Sequence, residues 1–76
     1  MIIISLVLIE GKNLKKEALM ISLANAKQIV IGNASGFGWV LHVAANTSAD
    51  LGKALLAFAK IPGVTDVVTL ALRNQQ

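Results

Sequence analysis

The stretch Ala49-Asp50-Leu51-Gly52-Lys53-Ala54-Leu55-Leu56-Ala57-Phe58-Ala59-Lys60-Ile61-Pro62-Gly63-Val64 decides the architecture. It reads as a helix over Ala49 to Ile61 that stops on Pro-Gly and turns at once into a strand, Val64 to Leu72. Leu51, Leu55 and Phe58, with Ala54 and Ile61, recur at helical spacing and form one apolar stripe. Thr47 or Ser48 is placed to cap the amino end. Asp50 near that end and Lys60 near the other give the charge order that the helix dipole favours.

Working outward, Gln28 to Gly32 and Phe37 to Ala44 read as strands, Leu14 to Ala24 as a helix and Ile2 to Ile9 as a strand. In this reading Gly11 ends the first strand, Asn13 caps the first helix and Glu17 sits in its first turn. Leu14, Ala18, Leu19, Ile21 and Leu23 face one way. The order is βαββαβ, the split βαβ of a ferredoxin-like α+β sandwich. Its four-stranded antiparallel sheet would carry two helices on one face and leave the other open. The 76 residues make a single domain, with Asn74, Gln75 and Gln76 as a frayed end.

Composition bears on how such a sheet is used. The chain is 55% hydrophobic and only 14% charged, against roughly 25% in an average domain, so it has little polar surface with which to cover itself. It has no cysteine, so neither a disulfide nor thiolate chemistry reinforces a small core. Self-association through the open sheet face is the expected remedy. The net charge of +3 comes from seven scattered basic residues, and Lys12, Lys15 and Lys16 read as a solvated first turn. No nucleic-acid partner is expected. An RNA-binding sheet of this topology shows aromatic residues on its two central strands, interleaved with basic ones, whereas here the first-strand and fourth-strand positions are aliphatic and Trp39 reads as a core or interface anchor. Met1 to Ile9 lacks a positive leader and meets Glu10 far short of the ~20 residues of a membrane span. It reads as a buried strand, and a cytoplasmic protein with no membrane partner is expected.

Catalytic readings find no support in the residues. Gly32-Asn33-Ala34-Ser35-Gly36-Phe37-Gly38 has the look of a phosphate loop, but it leads into a strand and so reads as a hairpin connection. His42 is the sole histidine and Glu10, Glu17, Asp50 and Asp66 are not at ligand spacing, so no metal or other cofactor is expected. The serines have no grouped histidine and carboxylate partners. A phosphoryl-transfer enzyme of this fold needs an arginine in a loop, whereas Arg73, the only one, lies at the far end of the chain. The chain therefore reads as non-enzymatic.

Alternation along the third and fourth strands assigns Val40 and His42, and Val67 and Thr69, to the face away from the helices, beside Ile3, Ser5 and Val7 of the first strand. That face is half apolar and half small and polar, a surface made to be covered. The candidate peptide- or partner-binding residues are accordingly Ser5, Val7, Val40, His42, Val67 and Thr69.

Ile4-Ser5-Leu6-Val7, Ala34-Ser35-Gly36 leading to Val40-Leu41-His42-Val43, and Ile61-Pro62-Gly63-Val64 followed by Leu70-Ala71-Leu72 and Asn74-Gln75-Gln76 together resemble the NapD family. The resemblance spans nearly the whole chain through short, mostly hydrophobic motifs. It implies a small cytoplasmic chaperone whose sheet binds the twin-arginine signal peptide of the periplasmic nitrate reductase until the molybdenum cofactor is loaded. Ser5, Val40, His42 and Thr69 would then be peptide contacts, and Glu10, Glu17, Asp50 and Asp66 the acidic residues available to the arginines. The Ile61-Pro62-Gly63-Val64 and Thr69-Leu70-Ala71-Leu72 segments also resemble the effector-binding domain of the Lrp/AsnC regulators and, more loosely, ACT domains. That likeness implies the alternative, an oligomeric domain that senses a small molecule such as an amino acid.

Overall fold

A computed structural model of the chain describes residues 2–34 and 38–75. Its order is β1 (Ile2–Gly11), a short 3₁₀ turn (Lys16–Leu19), β2 (Ala26–Asn33), β3 (Gly38–Ala45), α1 (Ser48–Ala59) and β4 (Val64–Gln75). The strands form one antiparallel sheet in the order β2-β3-β1-β4. The expected sheet is present with one α-helix, not two.

The second crossover follows the sequence reading. Thr47 caps α1 through its hydroxyl, which accepts the Asp50 N–H at 3.0 Å. Leu51, Ala54 and Phe58 are buried along one stripe, with Leu55 and Ile61 packed at its margin. Lys60 is the C-cap residue, and Gly63 at φ 93° turns the chain into β4. The 18 residues 46–63 must carry the chain from the level of Ile3, which pairs with Ala45, to that of Gly11, which pairs with Val64. That distance is about 26 Å at 3.3 Å per strand residue, and twelve helical residues cover about 18 Å of it. The flanking residues make up the rest.

The first crossover has to span the same sheet with less chain. Ala26 pairs with Ala45, so the 14 residues 12–25 return from the level of Gly11 to that of Ile3. The expected eleven-residue helix with its three flanking residues fully extended would reach only about 26 Å, which leaves nothing for the turns off and back onto the sheet. The segment Leu14 to Ala24 is therefore not the expected helix. One 3₁₀ turn forms, closed by Ala18 N–H to Lys15 O and Met20 N–H to Glu17 O, and the rest is irregular. Asn13 caps nothing: at φ 57° it turns the chain out of β1, as Asn25 at φ 60° turns it into β2.

This irregular segment still supplies a lid for the core. Leu19 is fully buried, and Leu14, Ile21 and Leu23 pack against the core cluster. The sheet side chains beneath it hold its carbonyls. Trp39 Nε1 donates to Leu14 O at 2.7 Å, and Gln28 Nε2 donates to Leu19 O at 3.2 Å and Ile21 O at 2.5 Å. Irregular backbone over a core needs such donors, since unpaired carbonyls there cost free energy. Gln28→Ala should therefore cost about 1–2 kcal/mol and lower the melting temperature by several degrees. A thermal melt unchanged within a degree would contradict this role.

Beneath α1 and the 12–25 segment lie Ile3, Val7 and Ile9 of β1 and Leu41, Val43 and Ala45 of β3, all buried, with Phe58 set among them. No described helix of the chain is long and apolar enough to cross a membrane.

Candidate functional site

Residues paired across an antiparallel ladder share a face, so the register fixes which side each strand residue takes. On β3 the expectation holds: Leu41, Val43 and Ala45 face the helix side, and Val40, His42 and Ala44 the uncovered side. Phe37, expected to open this strand, lies outside the described residues, as do Ser35 and Gly36 of the hairpin connection. The connection does join two strands, with Ala34 N–H donating to Gly38 O at 2.8 Å.

On β1 the faces are reversed from the expected assignment. Ser5 and Val7 pair with Val43 and Leu41 and are 0% exposed, so both belong to the core and not to the open face. Ile3 is buried with them. Ser5 is the one buried polar side chain among the described residues, and its hydroxyl donates to Ala71 O at 3.4 Å. The uncovered face of β1 is instead Ile4, Leu6 and Leu8, each half-buried, and Glu10.

On β4 two irregularities reset the alternation, one beside Thr65 and one at Leu70. Val67 pairs with Ile9 and packs against the core, and Thr69 pairs with Val7. Both are thus on the helix side, contrary to expectation. Asp66, Val68, Ala71 and Arg73, opposite Glu10, Leu8, Leu6 and Ile4, take the uncovered side. Asn74 and Gln75 are strand, not frayed end, and Gln76 lies outside the described residues.

Of the six candidate residues, then, the structure brings together Val40 and His42 on the uncovered face and sends Ser5, Val7, Val67 and Thr69 to the other. The missed residues are Ile4, Leu6, Leu8, Val68 and, on β2, Ile29, which pairs with His42 and is 67% exposed. With Val40 of β3 they form an apolar tract that reaches all four strands, wider than the mixed surface expected. Glu10 and Asp66 lie side by side at one end. Arg73, beside Ile4, and Lys27, beside Ala44, mark the other. His42 stands among Leu6 and Ile29, with no carboxylate opposite it, so the histidine has no partner in the ladder for acid–base work.

Two clefts lie outside this tract. One, of about 510 Å³, opens at the end of the sheet between Ile2, Leu23, Asn25, Lys27 and Asn46, with Lys27 the charged side chain among the described residues that line it. The other, of about 360 Å³, runs between α1 and β4 along Leu55, Leu56, Ala59, Val64 and Val67.

What the arrangement offers is apolar area with charged ends. No family model, no curated protein and no solved structure matches this chain.

Proposed function

We propose that this chain is a non-enzymatic binding module that holds an extended apolar peptide segment on the uncovered face of its sheet. The observation that carries this reading is the apolar tract Ile4, Leu6, Leu8, Val40 and Val68, with Ile29 on the far side of His42, left without cover on a chain that has little charge to keep such a surface soluble. In the finer form of the proposal the fold is a ferredoxin-like sandwich whose first helix has shrunk to one 3₁₀ turn. The strand order read from its other end, β4-β1-β3-β2, supports that assignment. The segment bound is a twin-arginine signal peptide, as in the NapD family, and the protein acts on it in the cytoplasm as a chaperone. Glu10, where the β1 stripe ends, supplies a carboxylate for the cationic end of such a peptide while its apolar run lies toward Ile4.

The experiment is an NMR titration with a synthetic peptide in which two arginines precede an apolar run. Shifts should concentrate on Leu6, Leu8, Val40 and Val68, and Glu10→Gln should weaken binding about three- to tenfold. Silence at those four positions would overturn the reading. Free amino acids titrated in parallel test the alternative of a small-molecule sensor. Shifts confined to Asn25 and Lys27 would place a carboxylate ligand in the 510 Å³ cleft instead.

A further inference from the structure

We propose that two copies of this chain join edge to edge through β4, antiparallel about a two-fold axis between Thr69 and Leu70, so that their sheets become one sheet of eight strands. The inference stands apart from the peptide reading, because edge pairing leaves the uncovered face of both copies free.

β4 is the longer of the two edge strands, twelve residues against eight, and only its inner edge is paired. A bare edge is a template for another strand, and proteins usually guard one with lysine or proline. This strand has neither. Its charges are Asp66 and Arg73 alone, and in antiparallel self-pairing they select the register. With Asp66 opposite the partner's Arg73, Val67 meets the partner's Leu72, Val68 the partner's Ala71 and Thr69 the partner's Leu70. Symmetry then makes each of these contacts twice.

The irregularity at Leu70 is what permits this register. In a strictly alternating strand, residues 66 and 73 point to opposite faces and cannot stand side by side in a ladder. The extra residue between Thr69, opposite Val7, and Ala71, opposite Leu6, shifts the phase by one. Asp66, Val68, Ala71 and Arg73 then share the uncovered face, while Val67, Thr69 and Leu72 share the other. The pairs Asp66 with Arg73, Val68 with Ala71 and Val67 with Leu72 all match face to face.

Two features of the single chain find their counterparts in this pairing. Asp66 lies beside Glu10, a like-charge neighbour across the ladder, and the partner's Arg73 supplies a cation on its open side. Leu70 and Leu72 are 50% and 62% exposed, as is Leu56 of α1 at 62%, beyond what α1 covers. Beside Val67, the partner's Leu72 enters the groove lined by Leu55, Leu56, Ala59 and Val64. Burying exposed leucine is worth roughly 1.5–3 kcal/mol per side chain, and the symmetry doubles it.

Sedimentation and light scattering of the whole chain test the proposal, with circular dichroism to confirm that each variant is folded. The expected species has twice the 8.0 kDa of the chain. Asp66→Arg and Arg73→Asp each set like charges face to face twice and should raise the dimer dissociation constant at least about tenfold. The double exchange Asp66→Arg with Arg73→Asp should restore the dimer. Leu6→Glu, in the centre of the uncovered face, should leave the mass unchanged. A monomeric wild type would overturn the proposal, and so would a dimer indifferent to Asp66→Arg. A dimer lost in Leu6→Glu and kept in Asp66→Arg would also overturn it, in favour of pairing through the sheet face.

Discussion

Phe58→Ala is expected to remove a large share of the stability of this chain. A domain of 76 residues has only about 4–11 kcal/mol to lose. Emptying a buried Phe site costs about 3–5 kcal/mol, because the neighbours relax only in part. Phe58 is fully buried where α1 meets Val7, Ile9, Leu41 and Val43. No disulfide holds the layers together if that contact goes. Phe58→Leu keeps most of the volume and should cost less than about 1.5 kcal/mol. Urea unfolding followed by circular dichroism measures both variants. A loss below about 1 kcal/mol for Phe58→Ala would mean that α1 is not the principal cover of the sheet.

The second large effect is expected at Gly38, the first residue of β3. A Cβ there would overlap the carbonyl oxygen of Ile9, and it would sit 2.7 Å from the carbonyl carbon and 2.8 Å from Glu10 Cα. All three are backbone atoms of the neighbouring strand, so no side chain can swing away. Gly38→Ala must push β3 off β1 where Glu10 pairs with it, at a cost of about 1–3 kcal/mol. Gly32→Ala is the control. It lies across the hairpin, in β2, and a Cβ there meets nothing within 4 Å, so its stability should stay within about 0.5 kcal/mol of the wild type. Equal effects of the two substitutions in the same urea titration would contradict the strand packing described.

The sequence reading recovered α1 and the four strands for a physical reason: each is a periodic stretch bounded by its own stop signals, as Thr47 and Pro62-Gly63 bound the helix. It failed where the outcome depends on distance. Leu14 to Ala24 has good helix formers at helical spacing, yet the connection is too short to span the sheet as a helix, and tertiary geometry overrode local propensity. The leucines expected on its inner side, Leu14, Leu19 and Leu23, reach the core all the same. Hydrophobic pattern thus fixed what is buried better than how the backbone runs.

The faces show the same division. β3 was legible because His42 marks one side of an otherwise apolar strand. β1 is apolar on both sides, so alternation carries no phase, and the hydroxyl of Ser5 pointed the wrong way because its partner, the Ala71 carbonyl, is distant in sequence. On β4 the shifts at Thr65 and Leu70 leave no mark in residue type. Val67 and Thr69 were therefore placed on the wrong side by counting in twos.

The sheet of this protein has one protected face and one bare apolar face. Side-chain methyl NMR with a soluble paramagnetic agent reads both at once. Strong relaxation of the methyls of Leu6, Leu8, Ile29, Val40 and Val68, with Val7, Ile9, Leu41 and Val43 shielded, is the result predicted. Shielding of Leu6 and Val40 together with strong relaxation of Val7 and Leu41 would contradict it.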